Sequence, residues 1–387
     1  MDTTSTYNGP TTNQGAIIEI AKDGDLVVNI TEHETIRDRQ IFENDTGRES
    51  VTTTTEREKS AMLRVDSSKL AAHSSYFKCV LNGKQQTGKK EMITLNKDTI
   101  KSIEVWFRLF HSELASDHLP SIQIVDVWYI IIAGYKYGFD RNDMAPWFVK
   151  WFYTKIDQIF SNIIHCRQML FPCYYFNFAN GFQVLTSSLV YEDTDNISEN
   201  NPTPFHHVGL PAVVPKRLNA ARQHFRKIIH KGLFNHLETI VSSATCECKE
   251  QTVFNYLREL KRIKVWPLES TFQDTSVRDM VDRCINFDES NMSPGGGGTT
   301  RPSCIHCGHK WKALLVQIHY TVLSLFDGLC LDCMARATNP GVEEHIYVDD
   351  NDYDTHCRIR HGEATWHFSS IGIHVVKVPT GVRKMIE

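Results

Sequence analysis

The chain's 387 residues suffice for two domains, each with its own core. Hydrophobic residues make up 41% and charged residues 23%, as in ordinary soluble globular proteins, and the net charge of −4 argues against a general binder of nucleic acid or anionic membrane. The Thr-rich start (Met1 to Gly15) lacks a secretory signal's charged-then-apolar order, and the apolar run Ile124 to Gly134 is far short of the about 20 residues that cross a bilayer, so a cytoplasmic or nuclear location is expected.

In chain order, residues 1–20 read as a disordered tail. Gly24 to Ile30 predicts a turn and a β-branched strand, and the polar stretch with Thr52 to Thr55 a loop or irregular hairpin. Ala61 to Val65 alternates like a second strand, and Asp66-Ser67-Ser68 suits a helix cap before Leu70. A short helix follows from Ser75 to Leu81, then a third strand at Met92 to Leu95 and a helix capped from Asn96 to Asp98. Ile100, Ile103, Trp106, Phe107 and Phe110 of that helix share one face. Ile122 to Tyr137 reads as a buried helix, and the aromatic-rich stretch Trp147 to Phe160 as a further one. Residues 141–192 form an expected helical extension, and 193–215, rich in Asn, Asp, Ser, Thr and Pro, an expected linker. Beyond it, Arg217 to Val241 is an amphipathic helix with Phe225, Ile228, Ile229, Leu233, Leu237 and Ile240 on one side. Phe254 to Lys264 and Ser276 to Phe287 predict two more helices, and the four-glycine stretch at 292–303 a flexible loop.

The stretches Gly24 to Val28, Val65 to Leu70, Ser74-Ser75-Tyr76-Phe77, Ile93-Thr94-Leu95, Leu109 to Ser112 and Ala133 to Gly138 occur in an order that resembles the BTB/POZ domain, here over residues 21–140. His111 and Ser112 depart from the Tyr-Thr-Gly common in that family. The resemblance implies a small sheet with a helical cluster, Tyr76 and Phe77 in the core, and binding of a protein partner, whether a second copy or another chain. Some relatives dock a cullin ubiquitin-ligase scaffold. The hydrophobic-x-Glu pattern associated with that docking is absent from Leu81 to Glu91, so adaptor activity of that kind is not expected.

Eight of the eleven cysteines lie beyond residue 245. Two C-x-x-C pairs, Cys304/Cys307 and Cys330/Cys333, stand 22 residues apart, which is the form of a zinc site. Two intervening residues let a tight turn aim both thiolates at one ion. Four thiolates close the tetrahedral shell and leave no place for a catalytic water, so the zinc is expected to be structural. Cys246/Cys248 and Cys357/His361 supply three more thiolates and an imidazole for a second ion, although about 110 residues separate the pairs. Phe326 to Met334 and Cys357 to Trp366 look like the C-terminal region of fungal BTB proteins, which also carry a close cysteine pair where Cys246 and Cys248 sit. His306, His309, His345 and His356 read as surface residues; Cys79, Cys166, Cys173 and Cys284 read as packing residues.

No metalloprotease, phosphate-loop, nucleophile-elbow or dinucleotide motif is present, so no catalytic residue is assigned. Lys216, Arg217, Arg222, Arg226, Lys227 and Lys231 could contact nucleic acid in a BTB zinc-finger regulator, but no finger with paired Cys and paired His at the usual spacing accompanies them. They read as a solvated helix face, and the acidic segment Glu343 to Asp354 would oppose a polyanion. The expectation is an α+β chain: a BTB/POZ domain followed by a mostly helical, zinc-stabilised module at 216–375.

Overall fold

In a computed structural model, residues 17–44, 47–85, 92–112, 116–292, 304, 307–336 and 356–369 are described. The expected glycine loop (but for Met292), most of the N-terminal tail and the acidic segment from Glu343 fall outside them. The chain divides into two compact units with the boundary between Thr154 and Lys155.

The first unit is α+β. It comprises β1 (Ile17–Glu19), β2 (Leu26–Asn44), β3 (Gly47–Val65), α1 (Ser67–His73), α2 (Ser75–Gln85), β4 (Ile93–Asn96), α3 (Ile100–Phe110), a short 3-10 turn, α4 (Ile124–Tyr137) and α5 (Arg141–Thr154). The sheet order is β1-β3-β2-β4: β2 and β3 are antiparallel, and β1 and β4 run parallel to their neighbours. Thr52 to Thr55 lie within β3, not in a loop. The register from Leu26↔Val65 to Asn44↔Gly47 is unbroken, as β-branched residues favour.

Three of the stretches behind the resemblance meet at the start of α1. Asp25 accepts hydrogen bonds from the Ser67 amide at 2.8 Å and its hydroxyl at 2.7 Å. Asp66 caps the helix through the Ser68 amide at 2.8 Å. His111 Nε2 accepts from the Asp66 amide at 3.0 Å, while Nδ1 donates to the Phe107 carbonyl at 2.7 Å. His111 thus has a defined buried place although it departs from the family pattern.

Two local expectations need correcting. Phe77 is fully buried, but Tyr76 is 39% exposed and packs edge-on against Phe77 and Tyr137. The cap of α3 is Thr99, which accepts from the Ser102 amide; Asp98 is instead buried, taking hydrogen bonds from Tyr137 at 2.6 Å and Lys136 at 2.8 Å. Ile103, Trp106, Phe107 and Phe110 are buried as the spacing requires.

The second unit is helical: α6 (Ile156–Phe160), α7 (Ile163–Tyr175), α8 (Ala179–Glu192), α9 (Val213–Ser243), α10 (Lys249–Arg262), α11 (Leu268–Asp274), α12 (Val277–Ile285), α13 (Trp311–Ser324), α14 (Leu331–Arg336) and α15 (Glu363–Ser369). Phe225, Ile229, Leu233, Leu237 and Ile240 of α9 are buried at helical spacing, and Ile228 is half-buried at the margin. Residues 193–212 are irregular, as their composition requires, but they are packed. Arg167 forks onto Asp193 at 2.8 Å through Nε and Nη2, Arg222 donates to the Asp193 carbonyl at 2.9 Å, and Ile197 is buried. Asn and Asp bonds to nearby backbone replace helix bonds here, and α7 and α9 hold the segment through arginine. No helix among the described residues is long and apolar enough to cross a membrane.

Cys166, Cys173 and Cys284 are buried packing residues, and burial pushes the Cys284 thiol up to about 12. Cys79 is exposed, contrary to its expected packing role.

Candidate metal centres

All eight expected ligands converge, but in a different partition. One group is Cys246, Cys248, Cys304 and Cys307; the other is Cys330, Cys333, Cys357 and His361. Within each, the donor atoms lie within 4.8 Å of one another. The expected joining of Cys304/Cys307 with Cys330/Cys333 is therefore corrected, as is that of Cys246/Cys248 with Cys357/His361. The reason is α13. Spacing rules treat the residues between two C-x-x-C pairs as a loop that can fold back. Here 14 of them form a helix about 21 Å long, which carries the pairs to opposite ends.

The first group is built on the connection between α9 and α10. The α9 helix ends at Ser243, Cys246 lies in the following turn, and Cys248 is the first flanking residue of α10. The Cys304 carbonyl accepts from the Cys307 amide at 3.1 Å and the Gly308 amide at 2.7 Å, a tight turn that brings both sulfurs to one side. Cys246 and Cys307 sulfurs are 3.4 Å apart. The hydrogen bond with Cys246, then burial, push Cys248 up to about 12, and Cys307 rises too, with burial the main cause. Crowded thiols without a cation resist ionisation; a divalent ion reverses that by taking the place of the protons.

The second group spans α14 and the segment before α15. Cys333 Sγ lies 3.7 Å from Cys357 Sγ and 3.4 Å from His361 Nε2, which is also 3.4 Å from Cys357. A tetrahedral ion with metal–sulfur bonds of about 2.3 Å has sulfur–sulfur edges of about 3.8 Å, and a shorter metal–nitrogen bond shortens the mixed edge. The distances in the second group match that shell, Cys246 and Cys307 stand somewhat closer than its sulfur–sulfur edge, and either group could hold a metal ion. With Nε2 facing the sulfurs, His361 Nδ1 donates to the Gly362 carbonyl at 3.1 Å, which fixes the ring for ligation. The hydrogen bond between Cys330 and Cys333, then burial, push Cys330 up to about 12; the same bond holds Cys333 below the usual thiol range, assisted by Arg336.

Several supporting residues carry no motif and were not legible from spacing. Arg358 clamps Asp332 through Nε at 2.9 Å and Nη2 at 2.7 Å, and reaches the Asn177 carbonyl at 2.9 Å. The Cys330 amide donates to Ser369 Oγ at 2.9 Å, and the Leu329 amide to Thr186 Oγ1 at 2.8 Å. Cys330, Cys333, Ile359 and Ala179 of α8 form a buried cluster, with Cys357 packed on it. Gly328, with φ of +104°, lies so close to α8 that a Cβ would stand 2.0 Å from the Gln183 carbonyl oxygen.

Of the histidines expected at the surface, His356 is exposed but His309 is half-buried in ring contact with His236 and Trp311; His306 and His345 lie outside the described residues. The basic residues of α9 divide. Arg222 is buried on Asp193, and Arg226 donates to the Phe272 carbonyl at 2.5 Å, whereas Lys216, Lys227 and Lys231 are not buried. No family model, curated protein or solved structure matches the chain.

Proposed function

We propose that the chain is a non-enzymatic protein–protein interaction protein, with a BTB/POZ-like first unit that takes the partner and a second unit held by two structural zinc ions. The observation that carries the reading is the composition of the two clusters, one of four cysteines and one of three cysteines with a histidine. Each supplies four protein donors, a complete tetrahedral shell, so its ion has no position left for water or substrate. Soft thiolates with an imidazole favour zinc over the oxygen-seeking cations. Because the ligands come from distant stretches of chain, binding free energy becomes folding free energy.

The interaction role rests on the resemblance and on the α+β architecture of the first unit, with its small sheet and helices. A nucleic-acid reading loses support because Arg222 and Arg226 are engaged inside the second unit. Light scattering of the full 44.4 kDa chain after gel filtration tests the self-association form of the proposal. A mass twice that value, or a stoichiometric protein co-purifying with the chain, is expected. A lone monomer with salt-sensitive affinity for random duplex DNA would overturn it in favour of nucleic-acid binding.

A further inference from the structure

The two clusters differ in exposure and in charge. Cys246, Cys248 and Cys304 are half-buried and only Cys307 is buried; in the other group Cys330, Cys333 and His361 are buried and only Cys357 is half-buried. Four thiolates around a dication leave two negative charges uncompensated, whereas three thiolates and a neutral imidazole leave one. At the second cluster that charge faces a cation. Arg336 Nη2 donates to Cys357 Sγ at 2.6 Å and to Cys333 Sγ at 3.4 Å. A hydrogen bond from guanidinium withdraws electron density from a thiolate and makes it a poorer nucleophile. The Arg358–Asp332 clamp and the Ser369 hydroxyl hold the surrounding backbone as well.

We propose that the four-cysteine cluster is a peroxide-responsive metal site, while the histidine-containing cluster, guarded by Arg336, is the permanent clip. This rests on the zinc occupancy proposed above. The reacting pair is Cys246 and Cys307, whose sulfurs are 3.4 Å apart. One thiolate attacks a peroxide oxygen; the O–O bond breaks, hydroxide leaves, and a sulfenic acid forms. The second thiolate attacks that sulfur and displaces a second hydroxide, giving a disulfide. Two thiolates are oxidised, one peroxide is reduced, and the ion, stripped of two ligands, departs. The turn after α9 is then joined to the turn at Cys304 by one disulfide, while Cys248 and Cys304 are left without the ion.

The test uses the full zinc-loaded chain, hydrogen peroxide and the chromogenic chelator 4-(2-pyridylazo)resorcinol. Zinc content is measured before oxidant is added, and fewer than two ions per chain would count against the occupancy reading itself. With both ions present, release in two equal phases is expected, the first about tenfold faster or more. Peptide mapping after the first phase should find Cys246 joined to Cys307, with Cys330, Cys333 and Cys357 reduced. Arg336→Met should leave the fast phase unchanged and speed the slow one about tenfold. A single phase releasing both ions, a first disulfide among Cys330, Cys333 and Cys357, or a slow phase indifferent to Arg336→Met would overturn the proposal. The parent protein's phases and peptide map decide the main point even if the variant does not fold.

Discussion

At the residue scale, the side chains that matter most are those whose environment opposes their charge. Glu199 is an example outside the metal clusters. Its Oε2 accepts from the Leu210 amide at 2.9 Å, Oε1 is buried without a partner, and Gly209 is small enough to let the carboxyl in. Burial raises its pKa from 4.5 to about 7 against the lowering effect of the amide. A carboxyl that binds its proton earlier when folded contributes stability that is complete below the unfolded value and is lost as pH rises through the folded one. Glu199→Gln should therefore stabilise the chain most above pH 7, by up to about 3 kcal/mol, with the difference fading toward pH 4.5. Denaturant titrations of both proteins across that window measure it; a difference that does not change with pH would contradict the assignment. The eight candidate metal ligands were legible in the sequence because Cys and His two to four positions apart are rare without a shared purpose. Arg336, Arg358 and Asp332 were not, since charged residues are common on any surface and only the fold shows that Arg336 meets the Cys333 and Cys357 sulfurs and that Arg358 clamps Asp332.

At the element scale, the partition of those ligands was the part the sequence withheld. It depends on α13 separating the two C-x-x-C pairs and on the α9–α10 connection lying beside the Cys304 turn, neither of which spacing along the chain reveals. The amphipathic face of α9 was readable because burial follows one helix's own period, whereas the reach of β2 and β3 was not. A polar, Thr-rich hairpin has the composition of a loop, and its extension rests on β-branched residues accepting the pleat. Likewise the segment 193–212 has a linker's composition but is held by Arg167 and Arg222 from α7 and α9. Gly328 offers a test at this scale, because it sets the close approach of the Cys330 turn to α8. Gly328→Ala meets both a positive φ and a backbone clash. Strain at such a position costs roughly 1–3 kcal/mol before the clash is counted. Thermal unfolding of the second unit should shift down by several degrees with weaker zinc retention; an unchanged midpoint would show that the turn yields freely.

At the scale of the whole molecule, two units rely on different sources of stability. The first buries a continuous aromatic and aliphatic core around Phe77, Trp106, Phe107 and Trp128. The second gathers eight Cys and His side chains into two clusters that could each hold a metal ion, and this accounts for the uneven placement of cysteines along the chain. The α+β class and the helical character of the second half were both readable in advance, because they follow from hydrophobic period summed over many residues. Eight ligands, divided as the fold brings them together, are proposed to make two closed shells. Zinc per chain, measured by elemental analysis on the purified protein and on serine variants, tests it most directly. Two ions are expected in the parent, one in Cys330→Ser, and none in the double variant Cys304→Ser, Cys330→Ser, which cuts one ligand from each shell. Fewer than two ions in the parent, or one ion retained by the double variant, would contradict it.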